Sequence, residues 1–432
     1  MRKIRCFFQM LPLLLAAIPG IGLEIKAEFP GNEKGMFRKG EPIVCTFRLE
    51  EKGKVVPGHT LLVRIFRNGK CVKTEKFSSD RPGRIEWKEG EAAWVRFQIV
   101  CEEKGNGMNS EKTGSGKKRK IQSGIGCLVA PEEMRQATRE PEDFDRFWAR
   151  QKRRLSSCPM DVRTRPFPIR KDLTERFRTY DVSIACPGGI PATGVVSIPR
   201  GAAAKSLPIL VHYMYFGVYS SQAWTGNAIR ITVNANGLPN GEPASFYQEK
   251  ARKLGFYPHR DKNDREKYYM KEMYLRALRI IDYAAGLPEW DGKRILVQGH
   301  SQGGGQALAA AALDPRVTAC FVTCMAMGDH DGAFAGRQAG WPGLYRVVDG
   351  KADDPAVYET AKYFDNVNFA KRIRCEVWVG IGLNDTLVPP SASMVVYNTL
   401  KTGKHLETQT GGGHGCRTPL ADARLQELLE QK

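Results

Sequence analysis

The sequence predicts two regions of different fold class: a small antiparallel β-sandwich, then an α/β domain with a mostly parallel sheet and helices on both faces. Up to about residue 130, short alternating apolar and polar runs are separated by turn signals, without a helical period. Beyond about residue 170, apolar strand segments alternate with helical segments, the pattern of a parallel sheet. The length of 432 residues also exceeds the usual size of one hydrophobic core.

The first region, residues 23–130, is predicted to be an accessory sandwich. Asn68-Gly69 and Pro82-Gly83 mark two of its turns. No helical period and no group of chemically active side chains occurs in it. The candidate strands are the alternating runs 23–29, 42–49, 60–66, 71–77 and 93–100.

The second region, residues 131–432, is predicted to begin with a helix that bridges the two domains. Phe144, Phe147 and Trp148 recur at helical spacing on one face. A hairpin is predicted across Pro187-Gly188-Gly189, which separates two strand segments. The other candidate elements are strands at 208–213, 229–233, 295–298, 319–324 and 375–381 and a long helix over 265–285.

Composition and charge are those of a globular protein, with 42% hydrophobic and 26% charged residues. The net charge of +19 suggests an anionic partner, but the basic residues are spread along the chain. One dense run, Lys117 to Lys120, lies in a Gly-, Ser- and Lys-rich stretch without interleaved aromatic residues. This pattern favours a solvated loop over a nucleic-acid surface, so no nucleic-acid partner is predicted.

The N-terminus has the order of a secretory signal, which we predict over residues 1–22. Arg2, Lys3 and Arg5 precede an apolar run that ends in small residues. Because that run is interrupted by Gln9, Pro12 and Pro19, it is a poor membrane span. We therefore expect a secreted or periplasmic protein without an integral membrane segment after signal removal.

The 11 cysteines are too few for a disulfide-dense scaffold in a chain of this length. No C-x-x-C pair occurs, so a structural zinc site is not expected. Cys320 and Cys324 have the even spacing of one buried strand face, which indicates packing. Export permits disulfides, but the sequence does not indicate whether any form.

The strongest chemical signal is the segment from Gly299 to Gly303, which reads GHSQG and lies between an apolar strand and an Ala-rich helix. This is the context of a nucleophile elbow, whose glycines permit a turn so tight that the serine is presented at a helix start. It predicts an α/β-hydrolase fold with Ser301 as the nucleophile. The alternative is a structural Gly/Ser turn, because the bare motif is common by chance.

A serine nucleophile needs a base and an acid, which in this fold follow in the order Ser, Asp, His. Of the seven histidines, only His405 and His414 lie beyond the later strands. His414 is flanked by glycines before a C-terminal helix and is the predicted base, whereas His405 has the features of a surface residue. Asp385, just past the strand 375–381, is the predicted acid.

Other assignments stay open for the acid and the base. Asp329 and Asp331 also follow a strand, but their earlier place fits the usual order less well. His414 could be a solvent-exposed loop residue, and Asp385 could be an aspartate that opens an Asx turn.

Two backbone N–H groups are predicted to stabilise an oxyanion. The N–H of Gln302 directly follows the nucleophile at the helix start. The second, that of Phe216, lies in the loop after the strand ending near Tyr213.

Four segments make the pattern more specific: DFDRFW (143–148), YDVSIACPGGIPATGVVSIPRGA (180–202), GHSQGGGQALAAAALDPRV (299–317) and NDTLVPPSASMVVYN (384–398). With them, residues 140–425 resemble the acetyl xylan esterase and cephalosporin C deacetylase family of carbohydrate esterases. By position, the resemblance implies a triad of Ser301, Asp385 and His414, with Phe216 and Gln302 at the oxyanion site. It implies acetyl or other small acyl esters of carbohydrates and related compounds as substrates.

The sequence departs from the family pattern in two places. Asn236-Gly237-Leu238 stands where the family usually has Arg-Gly-Gln, and Gly415 stands where a glutamate follows the histidine. The resemblance also makes an oligomer possible, because family members often form hexamers that restrict access to small substrates. No ligand cluster at metal spacing occurs, so we predict an enzyme without a metal or a cofactor.

Two other functions compete with that of an esterase. A serine peptidase of the prolyl-oligopeptidase type shares the elbow and the triad order but more often has an aromatic residue in place of Gln302. A non-catalytic carbohydrate-binding protein could retain the fold without its activity. For the esterase, a chain that begins near Pro131 is predicted to keep its activity on a small ester, since the sandwich provides no catalytic group.

Overall fold

The computed structural model describes residues 22–102 and 121–431. The predicted export signal, except Gly22, and the basic run from Lys117 to Lys120 lie outside these ranges. Within the two ranges, no helix is both long and apolar enough to cross a membrane.

The N-terminal region forms two small sheets that share one hydrophobic core. One sheet has four strands and the other has five, and their neighbours are antiparallel except for one short parallel pair. All five alternating runs form strands, with ends shifted by at most two residues. The strands are β1 (Glu24–Glu28), β2 (Met36–Phe37), β3 (Pro42–Glu51), β4 (Lys54–Val55), β5 (Thr60–Arg67), β6 (Lys70–Ser78), β7 (Gly83–Lys88), β8 (Ala93–Glu102) and β9 (Gln122–Val129).

A nine-stranded mixed sheet forms the centre of the second region. Its strands are β10 (Val162–Pro166), β11 (Phe177–Ile184), β12 (Ala192–Pro199), β13 (Leu207–Tyr213), β14 (Ile229–Asn234), β15 (Trp290–His300), β16 (Ala319–Thr323), β19 (Glu376–Gly382) and β20 (Lys404–Gln409). A separate hairpin consists of β17 (Val347–Val348) and β18 (Lys351–Ala352). The spatial order is β10-β11-β12-β14-β13-β15-β16-β19-β20, antiparallel up to β14 and parallel from β14 onward. The predicted α/β-hydrolase sheet is therefore confirmed.

The helices cover this sheet, and the first of them matches its prediction. Phe144, Phe147 and Trp148 are buried on one face, and the Trp148 indole donates to the Tyr363 carbonyl oxygen at 3.0 Å. The long predicted helix begins at Tyr269, later than expected, because the residues before it form turns. The helices are α1 (Phe144–Ser156), α2 (Lys171–Thr174), α3 (Ala244–Leu254), α4 (Tyr269–Ala284), α5 (Gln302–Leu313), α6 (Pro355–Ala361), α7 (Asn366–Ala370), α8 (Pro390–Thr399) and α9 (Pro419–Glu430).

The parallel strands end at one edge of the sheet, and this places the predicted site residues together. Strands β13, β15, β16 and β19 run in the same direction. Loops that follow their carboxyl ends therefore converge, as in other open α/β sheets. Phe216, Ser301 and Asp385 all lie just beyond such ends.

Candidate active site

Ser301 occupies a strained turn between β15 and α5. Its φ of 56° and ψ of −126° are values that side chains other than glycine rarely adopt. A Cβ on Gly299 would lie 2.2 Å from the Gly303 carbonyl group, and one on Gly303 would lie 2.1 Å from the Tyr213 carbonyl oxygen. Both outer positions of the motif therefore require glycine, and the turn presents the serine at the start of α5.

The three residues predicted as a triad form one continuous chain of hydrogen bonds. The His414 Nε2 atom lies 2.9 Å from the Ser301 Oγ atom. The His414 Nδ1 atom lies 2.7 Å from the Asp385 Oδ2 atom. Ser301 is 7% exposed and Asp385 is 1% exposed, so the hydrogen-bonded chain runs from near the protein surface into the interior. These contacts have the geometry that a nucleophile, its base and an orienting acid require.

Asp385 is fixed by its own turn as well as by His414. Its Oδ1 atom accepts the N–H groups of Leu387 at 2.8 Å and Val388 at 3.1 Å. The aspartate is therefore the Asx-turn residue of the alternative assignment and also the partner of His414. With Oδ1 occupied in this way, Oδ2 is directed to the imidazole.

Tyr257, which no sequence pattern indicated, connects the loop of Phe216 with the nucleophile elbow. Its hydroxyl donates to the Gln302 Oε1 atom at 3.0 Å and accepts the Gly217 N–H at 3.2 Å. Burial raises the pKa of Tyr257, so the phenol keeps its proton and can donate. The tyrosine thereby ties together the residues that carry the two predicted oxyanion N–H groups.

Asn236, one of the departures from the family pattern, supports the same loop. Its Nδ2 group donates to the Gly217 carbonyl oxygen at 2.6 Å, and its Oδ1 atom accepts the Tyr269 hydroxyl at 2.9 Å. The asparagine thus makes a side-chain contribution beside the predicted oxyanion site.

His300, inside the elbow motif, contacts the loop of the predicted base. Its Nε2 atom hydrogen bonds with the His414 carbonyl oxygen, and the two rings lie 4.7 Å apart. Among the described residues, His300, Cys324 and His414 each offer one possible metal-ligand atom within 4.8 Å of the others. Spacing in the sequence could not show this group, because three separate segments of the chain contribute to it.

The rival acids have other partners. Asp329 forms an ion pair with Arg337 at 2.9 Å. Asp331 accepts a hydrogen bond from the Tyr345 hydroxyl. His405, predicted to be at the surface, has a side chain that is 47% exposed.

His330 lies between the rival acids, and its burial is expected to cost stability in mild acid. It is 2% exposed, and burial lowers its pKa from 6.5 to about 4. Between these values His330 binds more protons in the unfolded chain than in the folded one, so its own contribution to the free energy of unfolding falls as the pH decreases. Urea unfolding measures the free energy of unfolding at pH 7.5 and at pH 5. We expect His330→Gln to remove about 2 kcal/mol of the difference between these two free energies. His405→Gln, at an exposed histidine, is the control. If the free energy of unfolding of His330→Gln changed with pH as much as that of the wild type, the lowered pKa of His330 would be contradicted.

The sandwich contacts the loops that carry both Asp385 and His414. The Trp94 indole donates to the Leu383 carbonyl oxygen at 2.7 Å, two residues before the aspartate. The Gly126 N–H donates to the Thr410 carbonyl oxygen at 2.8 Å, four residues before the histidine. The N-terminal region thus supplies no member of the hydrogen-bonded chain but packs directly behind it.

Comparison with known proteins identifies the family. The sequence model of the acetyl xylan esterase family (AXE1) matches residues 128–431. The acetyl esterase Axe7A of Xylanibacter ruminicola is 31% identical over 300 residues, which are 66% of this chain and 66% of that protein. The match therefore spans just under two thirds of the relative's length.

Solved structures of acetyl xylan esterases have the same fold. The enzyme from Paenibacillus sp. R4 is 25% identical with a TM-score of 0.57, and the alignment covers 69% of this chain and 98% of that one. Acetyl xylan esterase 1 from Thermoanaerobacterium sp. JW/SL YS485 is 22% identical with the same TM-score, over 69% and 97% of the two chains. This chain belongs to the acetyl xylan esterase family, a family of carboxylic ester hydrolases with the α/β-hydrolase fold.

Proposed function

We propose that the protein is a secreted serine esterase that removes acetyl groups from carbohydrate esters through a triad of Ser301, His414 and Asp385. The observation that carries the proposal is the unbroken hydrogen-bonded chain of these side chains, at 2.9 and 2.7 Å, behind a strained serine. The match to the acetyl xylan esterase family supports the acyl group and the substrate class. Secretion rests on the order of basic and apolar residues at the N-terminus.

The reaction follows from the roles that these positions allow. The Ser301 Oγ atom attacks the acetyl carbonyl carbon while its proton passes to the His414 Nε2 atom. The N–H groups of Gln302 and Phe216 stabilise the negative charge on the carbonyl oxygen. The imidazolium then protonates the sugar oxygen, which leaves as an alcohol. Water, deprotonated by the same histidine, attacks the acetyl-serine and releases acetate.

Exposed aromatic side chains beside the elbow favour a carbohydrate as the alcohol part of the substrate. The Phe216 ring lies 5.5 Å from Phe256 and 5.4 Å from Trp341, and it also packs against Tyr257 at 5.1 Å. Phe216 and Phe256 remain 37% and 47% exposed. Flat apolar rings of this kind suit contact with the C–H faces of sugar rings.

We also propose that residues 23–130 form a domain whose role is to hold the loops of the triad. Its contacts from Trp94 and Gly126 reach the segments that lead to Asp385 and His414. A single sandwich can thus fix the positions of Asp385 and His414 relative to each other without contributing a catalytic group.

A panel of three substrates tests the proposed function. We expect the protein to hydrolyse p-nitrophenyl acetate and to release acetate from acetylated xylo-oligosaccharides, because an acetyl group needs only a small acyl site. A peptide anilide should be cleaved at least about a hundredfold more slowly than the acetate esters, since a site for a small acyl group does not recognise a peptide. Release rates are measured by absorbance and by acetate quantification. Faster cleavage of the anilide would indicate a peptidase, and no turnover of any substrate would indicate a non-catalytic protein.

A further inference from the structure

Two cysteines that the proposed mechanism does not use lie in contact beside the loop of His414. The Cys324 and Cys416 sulfur atoms are 3.5 Å apart. Cys324 directly follows β16, is 1% exposed, and its N–H donates to the Gly380 carbonyl oxygen at 2.9 Å. Cys416 lies two residues after His414 and is half-buried. One thiol is thus anchored on the sheet, and the other is on the loop of the predicted base.

We propose that Cys324 and Cys416 are a disulfide-forming pair that, once oxidised, ties the His414 loop to the end of β16. A disulfide needs its sulfur atoms at about 2.05 Å, so they must approach by about 1.5 Å. The segment Gly411-Gly412-Gly413 precedes His414, and Gly415 separates it from Cys416, so the loop has the backbone freedom for this movement. Cross-linking would close a loop across 92 positions of the sequence.

The chemistry requires an external disulfide as oxidant, such as oxidised glutathione. The thiolate of Cys416, the more accessible of the two, attacks one glutathione sulfur, so a mixed disulfide forms and one glutathione leaves as its thiolate. The Cys324 thiolate then attacks the Cys416 sulfur and releases the second glutathione. Two protein thiols are oxidised, one glutathione disulfide is reduced to two thiols, and the two protons pass to the leaving thiolates.

The second step should be the slower one at neutral pH. In the reduced pair, the hydrogen bond with Cys416 and burial raise the pKa of the Cys324 thiol, and the burial persists once Cys416 is in the mixed disulfide. Its thiolate is therefore scarce near pH 7 and more abundant in mild alkali. Exchange experiments are accordingly best run at about pH 8.5.

Peptide mapping of the full-length protein tests the bond itself, without reference to activity. After incubation with oxidised glutathione, we expect the peptides of Cys324 and Cys416 to be recovered as one cross-linked species that a reductant separates. Cys416→Ser should abolish this species, and Cys71→Ser, which removes an exposed cysteine of the sandwich, should leave it intact. The bond is disproved if both cysteines remain open to alkylation, or if Cys416 retains a glutathione adduct without cross-linking. Protection that a chelator removes would likewise overturn it, because a metal ion would then hold the thiols.

The consequence for the His414 loop is measured separately and rests on the proposed function. Oxidation should raise the melting temperature by about 3–8 °C in the wild type and not in Cys416→Ser. Esterase activity that remains after heating should rise in parallel, because the cross-link keeps the loop of the base in place. A cross-linked protein with an unchanged melting temperature would refute the structural effect, while a raised melting temperature in a protein without esterase activity would count only against the proposed function.

Discussion

Replacing Ser301 or His414 by alanine is expected to lower kcat for acetate esters by about three orders of magnitude or more. In the proposed mechanism the serine supplies the atom that becomes acetylated, and the histidine, whose Nε2 atom lies 2.9 Å from the Ser301 Oγ atom, takes its proton. Asp385→Asn should cost less, because the amide can still occupy the Asx turn although it favours the wrong imidazole tautomer. The double variant Ser301→Ala, His414→Ala should be no slower than either single variant, since the residues act as a unit.

One matched replacement and one folding check make this result specific. His405→Ala removes the other histidine of the C-terminal segment, whose side chain is 47% exposed, and should leave kcat within about twofold. Ser301→Ala keeps the space of the elbow nearly unchanged, so a melting curve can show that lost activity is not lost folding. Near-normal rates in His414→Ala would mean that a different base serves the serine.

Local patterns in the sequence were sufficient to predict the candidate triad and every strand of the large sheet except β10 and β20, which lie at its two edges. The hairpin around Pro187-Gly188-Gly189 forms between β11 and β12 as predicted. The strand before Ser301 and the glycines around it determine the conformation of the elbow, because there is no room for a Cβ atom at Gly299 or Gly303. Asp385 and His414 follow from the order of residues along this fold, so their closeness to Ser301 needed only the topology of the sheet.

Contacts between distant segments could not be predicted in this way. Tyr257 reaches Gln302 from a short 3₁₀ helix that has no motif, so nothing in the local pattern distinguishes it from a core tyrosine. The contact of Trp94 with Leu383 joins positions 289 residues apart.

Such contacts also bear on the prediction that a chain beginning near Pro131 keeps its activity. They favour the opposite result, since the truncation removes the donors behind both loops of the triad.

Gly126→Ala is expected to lower kcat by about a hundredfold in a protein that still folds. A Cβ at this position would lie 1.8 Å from the Leu383 carbonyl oxygen, so β9 and the loop of Asp385 must move apart. A displacement of about 1 Å at a reacting group is enough for a loss of this size. The same methyl group should reduce stability by about 1–3 kcal/mol, the usual cost of overpacking. Activity is measured as kcat on p-nitrophenyl acetate, with folding followed by circular dichroism.

The matched control is Gly90→Ala in the same sandwich. Nothing lies within 4 Å of a Cβ at Gly90, so this variant adds the same methyl group without a displacement and should keep kcat within about twofold. Trp94→Phe provides a milder test, because it removes the indole donor to Leu383 and should lower kcat about three- to tenfold. If Gly126→Ala were folded and as active as Gly90→Ala, the sandwich would not set the position of Asp385. The N-terminal domain would then be the accessory module that the sequence alone predicts.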